Sequence, residues 1–330
     1  MHKVYLPSGE LFLCNEDDTL VQGALRQGVG LPYECNSGGC GTCKFILEEG
    51  EVEELNPDAA GLSDRDKRKG RKLACQCRPM SDLKIKVSPD PLYTPLHKPA
   101  IQQAKLVSIE TLTHNIRAFK FKPDTPMDFL PGQYTLLTLP EGDVRAYSMA
   151  NLADDQSGVE FFIKQVPGGH VTQALFDIRY DTDTEVSLDG PYGIAYCRTS
   201  PRDIICVAGG SGLAPMISIA RAHVQAGIKR KLYFFFGGQR HEDILKLDQF
   251  RRLVGDSTGI IQYTAAVSDE TSSGSADNGF VHQVMLERMG QQLSEYDIYC
   301  AGPPAMTTAL ESTLHTIGFP MGQLYYDRFF

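Results

Sequence analysis

Four unevenly spaced cysteines are the residues of this chain best suited to chemistry. Cys35, Cys40 and Cys43 stand in the run Cys35-Asn36-Ser37-Gly38-Gly39-Cys40-Gly41-Thr42-Cys43, and a fourth lies apart in Leu73-Ala74-Cys75. Thiolates are soft ligands, and a Cys-x4-Cys-x2-Cys run followed by a distant cysteine is the spacing that holds a [2Fe-2S] cluster. Glycines at 38, 39 and 41 let the backbone curl around such a group and aim bare N–H donors at its sulfurs. A four-cysteine zinc site is the competing reading. Zinc ribbons usually carry two short Cys-x2-Cys knuckles, whereas here one half is a long glycine-rich loop. A disulfide fits less well, because the N-terminal residues read as a strand and a turn, with no secretion signal. Further along, Gly209-Gly210-Ser211-Gly212-Leu213-Ala214-Pro215 stands between an apolar run and a helical one, the context in which backbone N–H groups receive a phosphate. It is not Gly-x-Gly-x-x-Gly, and a plain tight turn is the alternative. Cys300-Ala301-Gly302-Pro303 lies at the end of a strand-like run, where open α/β sheets bind ligands. The chain ends Tyr326-Asp327-Arg328-Phe329-Phe330, and terminal aromatic residues are expected to cover something.

These groups need elements to hold them. The chain has 330 residues, enough for two or three domains, and a net charge of −9, which disfavours nonspecific nucleic-acid binding. No apolar run approaches the ~18 residues of a membrane span. Nine cysteines without a secretion signal imply a reducing, cytoplasmic setting. Residues 1–90 alternate short strands with two short helical stretches, near Leu20–Leu25 and after Ser63, which serves as an N-cap with acids behind it. The stretch from 88 to 99 carries four prolines, and 91–99 is read as a linker. Residues 100–197 hold short strands separated by turn signals, at Lys105–Glu110, Ile116–Lys122, Gln133–Leu139 and Gly158–Gln165, and predict an antiparallel barrel. Across 198–330 buried strands alternate with helices, at Ile204–Ala208, Pro215–Gln225, Lys231–Phe236, Ile260–Val267, Val281–Met289, Asp297–Cys300 and Ala305–Ile317. This rhythm predicts a doubly wound parallel sheet.

Four segments carry a family resemblance: Tyr33 to Gly41, Pro57 to Leu62, Leu73-Ala74-Cys75-Gln76-Cys77, and the Asp-Arg-Phe-Phe end. With Arg145-Ala146-Tyr147-Ser148 they make the chain resemble, over nearly its full length, the NADH-dependent reductase components of bacterial multicomponent oxygenases. Toluene, phenol and carbazole oxygenase reductases are the nearest in look. The resemblance implies a β-grasp ferredoxin domain, an FAD-binding barrel and an NAD-binding α/β domain, in that order. In plant-type ferredoxins Leu-x-Cys is followed after five residues by Ser-Asp. Cys75 matches this register with Ser81-Asp82, and Cys77 does not. The implied metal ligands are therefore Cys35, Cys40, Cys43 and Cys75.

The same resemblance assigns the other sites. Arg145 would pair with a flavin phosphate, Tyr147 would lie against the isoalloxazine, and Ser148 would meet the flavin N5 edge. Phe162-Ile163-Lys164 would offer strand backbone to the flavin, and Gly169-His170-Val171-Thr172 would hold the FAD pyrophosphate. Gly209, Gly210, Ser211, Gly212 and Pro215 would form the dinucleotide loop. Cys300, with Gly302 and Pro303, would lie beside the nicotinamide, shaping transfer geometry without acting as a nucleophile. Phe329, favoured over Phe330 by its register, would stack on the flavin and yield to the nicotinamide. The implied path runs from NADH to FAD and then singly through the cluster to a terminal oxygenase or hydroxylase acting on an aromatic or other hydrocarbon, or to its intermediary ferredoxin. Arg240 could hold a 2′-phosphate, but Glu242 and Asp243 beside it favour NADH over NADPH. A reductase for a deoxysugar dehydratase, a quinone reductase subunit lacking its membrane anchor, and a zinc-binding adaptor are the rival readings.

Overall fold

The computed structural model describes residues 1–177, 180–227, 230–255, 259–269, 274, 276–290 and 293–329. It divides into two compact units, the first made of 1–101 with 189–194, the second of 102–188 with 195–329.

Unit one begins with the antiparallel hairpin β1 (His2–Tyr5) and β2 (Leu11–Cys14), followed by α1 (Leu20–Arg26). Then come β3 (Lys44–Glu49), β4 (Val52–Glu54), α2 (Asp64–Arg68), β5 (Arg71–Leu73), β6 (Cys77–Pro79) and β7 (Leu83–Lys86). The main sheet runs β2-β1-β7-β3-β5, with β4 and β6 as a separate ribbon. Alternation puts Val4, Phe12, Phe45, Leu83 and Ile85 on the inner face, where α1 adds Leu20, Val21 and Leu25. Thr19 and Gln22 cap α1 reciprocally, and Ser63 and Asp66 do the same for α2. The proline-rich stretch contains a single 3₁₀ turn at Pro91–Tyr93. On α1, Arg26 lies between Asp18 (3.1 Å) and Asp189 (2.8 Å), and Asp189 also accepts from Gln22 and Tyr192. Such a buried triad is costly to break on one side only, because the remaining charges lose their counterion.

Six strands follow, all within unit two save the first two residues of β8 and the last four of β13: β8 (Ala100–Thr111), β9 (Ile116–Pro123), β10 (Tyr134–Thr138), β11 (Val144–Ser148), β12 (Val159–Lys164) and, after helix α3 (His170–Phe176), β13 (Glu185–Tyr192). Their order is β11-β10-β13-β8-β9-β12. An antiparallel bridge between Met149 and Phe161 brings the two ends of this order together, so the sheet is nearly a barrel. Phe119, Leu137, Phe161 and Leu188 fill it.

The rest is a parallel sheet. It contains β14 (Asp203–Gly209), α4 (Leu213–Gln225), β15 (Leu232–Gly238), α5 (Leu247–Val254), β16 (Ile261–Val267), β17 (Asp277–Asn278), α6 (Val281–Met289), β18 (Tyr296–Gly302), α7 (Pro304–Thr316) and β19 (Leu324–Arg328). The order β17-β16-β15-β14-β18-β19 is parallel at every pairing. The near-continuous apolar strands Ile204–Ala208 and Phe234–Phe236 are what a sheet covered on both faces requires. Helix α4 carries the join to the barrel. Ser218 donates to the Asn151 carbonyl at 2.8 Å, and Arg221 reaches the Ala150 carbonyl at 2.8 Å and Glu160 at 2.6 Å.

Candidate functional site: thiolate pairs, a flavin edge and a glycine-lined turn

The cysteine loop between α1 and β3 is shaped by its backbone. Gly38 and Gly41 sit at φ +83° and +74°, in the left-handed region that favours glycine. A side chain on Gly41 would meet the Gly61 carbonyl oxygen at 2.6 Å, and the Gly61 N–H donates to the Gly38 carbonyl at 2.8 Å. The segment around Gly61 thus covers the loop. The sulfurs fall into two pairs: Cys35 and Cys40 are 3.3 Å apart, and Cys43 and Cys75 are 3.3 Å apart. Ser37 and Cys40 donate backbone N–H groups to the Cys35 sulfur at 3.4 Å, and Thr42 does so to that of Cys40. Such donors favour thiolate over thiol. Among the described residues no three His, Cys, Asp or Glu side chains converge as a single-ion site would need. Two-and-two pairing suits a centre with two irons, each needing two thiolates, so the donor set fits a [2Fe-2S] group. Cys77 lies buried on β6 opposite Glu54, outside both sulfur pairs.

In unit two, β11 presents Arg145 and Tyr147, and its last residue is Ser148. Arg145 is exposed and donates to the Val144 carbonyl. The Tyr147 ring packs on Phe161, 6.3 Å between centroids, and burial raises its phenol well above the ordinary value. Ser148 is buried, and its hydroxyl donates to Asp327 on β19 at 3.4 Å. Strand β12 alternates: Phe162 joins the core cluster of Leu213 and Ala214, while Ile163 joins the barrel core. It stands last in its sheet order, so beyond the Phe161 bridge its outer edge has no strand partner among the described residues. A strand edge open beyond that bridge, beside an aromatic ring and a cation, suits a flat phosphorylated cofactor such as a flavin.

The two nucleotide-loop candidates meet. A Cβ on Gly212 would lie 2.0 Å from the Ala301 carbonyl oxygen, and one on Gly302 (φ +152°) would lie 2.9 Å from that of Gly209. Only glycine lets these backbones approach so closely. The turn Gly209–Ser211 thereby stands against Gly302-Pro303, at the carboxyl ends of β14 and β18, with Pro215 buried in the first turn of α4. Lys164 reaches this turn from β12, its ammonium 3.7 Å from where a Gly210 side chain would start. Turn N–H groups plus a lysine make a seat for a pyrophosphate. Cys300 is 1% exposed, and burial raises its thiol well above the ordinary value, so it is neutral and unsuited to nucleophilic attack. Phe329 donates its N–H to the Gly302 carbonyl and packs against the cluster containing Phe162. Phe330 lies outside the described residues.

Three family models match consecutive parts of the chain: a 2Fe-2S iron-sulfur cluster binding domain over residues 4–80, an oxidoreductase FAD-binding domain over 103–196 and an oxidoreductase NAD-binding domain over 206–312. A ferredoxin–NAD(P)+ reductase of Metapseudomonas resinovorans is 39% identical over 96% of each chain. The ferredoxin–NAD+ reductase component of the alkene monooxygenase system of Xanthobacter autotrophicus is 36% identical over 98% of this chain and 99% of its own. The chain belongs to the ferredoxin–NAD(P)+ reductase family of two-iron flavoproteins. The solved ferredoxin reductase of a carbazole 1,9a-dioxygenase superposes with a TM-score of 0.92 at 37% identity, covering 100% of this chain and 98% of its own. The reductase is thus an oxidoreductase component with [2Fe-2S], FAD and NAD(P) binding domains, and no helix among its described residues is long and apolar enough to cross a membrane.

Three other candidates lie together at the start of α3. His170 is exposed at the start of α3, 3.2 Å from Asp143. The Thr172 hydroxyl closes its own turn, accepting from Val166 N–H at 3.1 Å. Val171 is buried in the barrel core. Sequence reasoning gave Asp327 no role, although it accepts from the Ser148 hydroxyl; its place in an acid-x-aromatic ending was the only signal.

Proposed function

We propose that the reductase draws electrons from NADH in preference to NADPH and delivers them singly to the terminal oxygenase or hydroxylase component of a hydrocarbon-oxidising system, or to its intermediary ferredoxin. The nucleotide preference is carried by Arg240. Its guanidinium, the obvious clamp for a 2′-phosphate beyond β15, lies 3.9 Å from Glu242 and 3.6 Å from Asp269. Those carboxylates partly neutralise it and would repel a phosphate dianion, whereas a ribose hydroxyl could donate to either carboxylate and accept from the guanidinium. The oxygenase partner is supported by the relatives, among them components of alkene and xylene/toluene monooxygenase systems.

In this reading Cys35 and Cys40 hold one iron, and Cys43 and Cys75 the other. Arg145, Tyr147, Ser148 and the backbone of Phe162, Ile163 and Lys164 hold the flavin, with the His170–Thr172 turn on its pyrophosphate. Gly209, Gly210, Ser211, Gly212 and Pro215 seat the nicotinamide dinucleotide, with Lys164 beside the same turn. Cys300, Gly302 and Pro303 would border a bound nicotinamide, and Phe329 would cover the flavin. When bound, the flavin links two-electron donation to one-electron release, and the cluster is the exit. The chain's part is orientation and exclusion of oxygen: Ser148, fixed by Asp327, presents its hydroxyl, and neutral Cys300 supplies packing without charge.

Initial rates with ferricyanide test the nucleotide choice. NADH is expected to show the higher kcat/KM, and replacing Glu242 and Asp269 together by Ser is expected to narrow the gap by roughly tenfold, about one charge–phosphate interaction. A native preference for NADPH would overturn the reading.

A further inference from the structure

Asn36 follows the first cysteine of the loop and is held at φ +52°, a conformation that among the described non-glycine residues only Asp183 shares. Both polar atoms of its side-chain amide, Oδ1 and Nδ2, are buried and find no partner in the polypeptide. Buried amides are seldom left unpaired, because they surrender their hydration without return. The surroundings narrow what could satisfy this one. The Cys35 sulfur already accepts from Ser37 and Cys40, and the Gly38 carbonyl accepts from Gly61. The other side-chain amide near the loop, that of Gln76, is satisfied by the Cys75 carbonyl at 3.0 Å. The Asn36 Nδ2 is a buried donor without an acceptor, and the cluster these cysteines are built to hold would bring sulfide acceptors into the same loop.

We propose that the Asn36 side-chain amide donates a hydrogen bond to a bridging sulfide of the [2Fe-2S] cluster and so holds its reduction potential up. Reduction adds negative charge that spreads onto the sulfides, and a fixed N–H donor favours the reduced form. Asn36 acts through the cluster and touches no substrate; it is a positioning residue for the exit of electrons. The proposal rests on the ligand assignment above, and iron content separates the two.

The test is a spectroelectrochemical titration of the cluster in the full-length holo-reductase. Asn36→Gly keeps the left-handed backbone and deletes the amide; Asn36→Asp keeps the shape and exchanges the donor for a charged acceptor. Both are expected to retain native iron and sulfide and to lower the potential, Asp more than Gly. At a fixed solution potential the Gly variant should hold about threefold or more less reduced cluster, the loss of one hydrogen bond. A Gly variant with native iron and native potential would overturn the proposal and leave Asn36 a purely conformational residue. If neither variant retains iron, pulsed EPR of the reduced native chain, with heavy nitrogen only in asparagine side chains, decides. A resolved coupling supports the bond, and none overturns it. A native chain without iron would sink the ligand assignment instead.

Discussion

Cysteine pairing is the residue-scale core of this account. Which cysteine follows Leu73-Ala74 matters, because Cys75 and Cys77 are two residues apart yet differ in surroundings. Cys75 lies 3.3 Å from Cys43, sulfur to sulfur, whereas Cys77 is buried on β6 opposite Glu54, outside both sulfur pairs. Replacing Cys75 by Ala is expected to remove the cluster absorption and electron export while NADH–ferricyanide activity survives. Cys77→Ser is expected to keep both, with a modest loss of stability. Iron analysis and the visible spectrum of the two purified variants check this, and the reverse pattern would reassign the ligand. At this scale much of the site was legible, because ligand chemistry demands a residue type at a spacing. The partnership of Ser148 with Asp327 was not, since it joins residues 179 positions apart and exists only after β19 pairs with β18. Nor was the orphaned amide of Asn36, which depends on what surrounds it.

Elements were legible in proportion to their periodicity. The apolar strands Ile204–Ala208 and Lys231–Phe236 correspond to β14 and β15, and the turn-bounded runs of the barrel to β8, β9, β10 and β12. Helix α5 escaped notice: it is eight residues long and buries only Phe250 and Val254, too short a stripe to stand out. Strand β17 is two residues long and exists through its pairing with β16 alone. The short helix α2 was legible from its cap, and its energetics give a pH prediction. Asp66 caps it and accepts from Lys44, Ser63 and Arg71, which together hold its carboxyl well below the usual range. A carboxyl depressed on folding stabilises fully above the unfolded value, near pH 4, and loses that contribution as pH falls towards the native value. The urea midpoint of the native reductase should therefore exceed that of Asp66→Asn at neutral pH, with the gap narrowing as the pH is lowered past about 4. A gap that stays constant or widens under acid would refute the assignment.

At the scale of the whole molecule, the order of the parts was readable from changes of rhythm: mixed short elements, then turn-bounded strands, then strands alternating with helices. What the sequence could not convey is how parts of unit two are pinned. Arg221 on α4 joins the barrel at Ala150 and Glu160 through contacts whose partners lie far away along the chain. The same holds for Gly212 and Gly302, whose need for glycine is evident only once β14 and β18 bring their turns against each other. The account's central claim is that one polypeptide accepts electrons from a nicotinamide dinucleotide and stores one on a thiolate-held pair of irons. Anaerobic addition of NADH to the purified, cofactor-replete reductase, followed by low-temperature EPR, tests it most directly. The account predicts flavin bleaching and the signal of a reduced [2Fe-2S] cluster from NADH alone. A bleached flavin with no cluster signal, in protein whose metal analysis returns zinc, would contradict it.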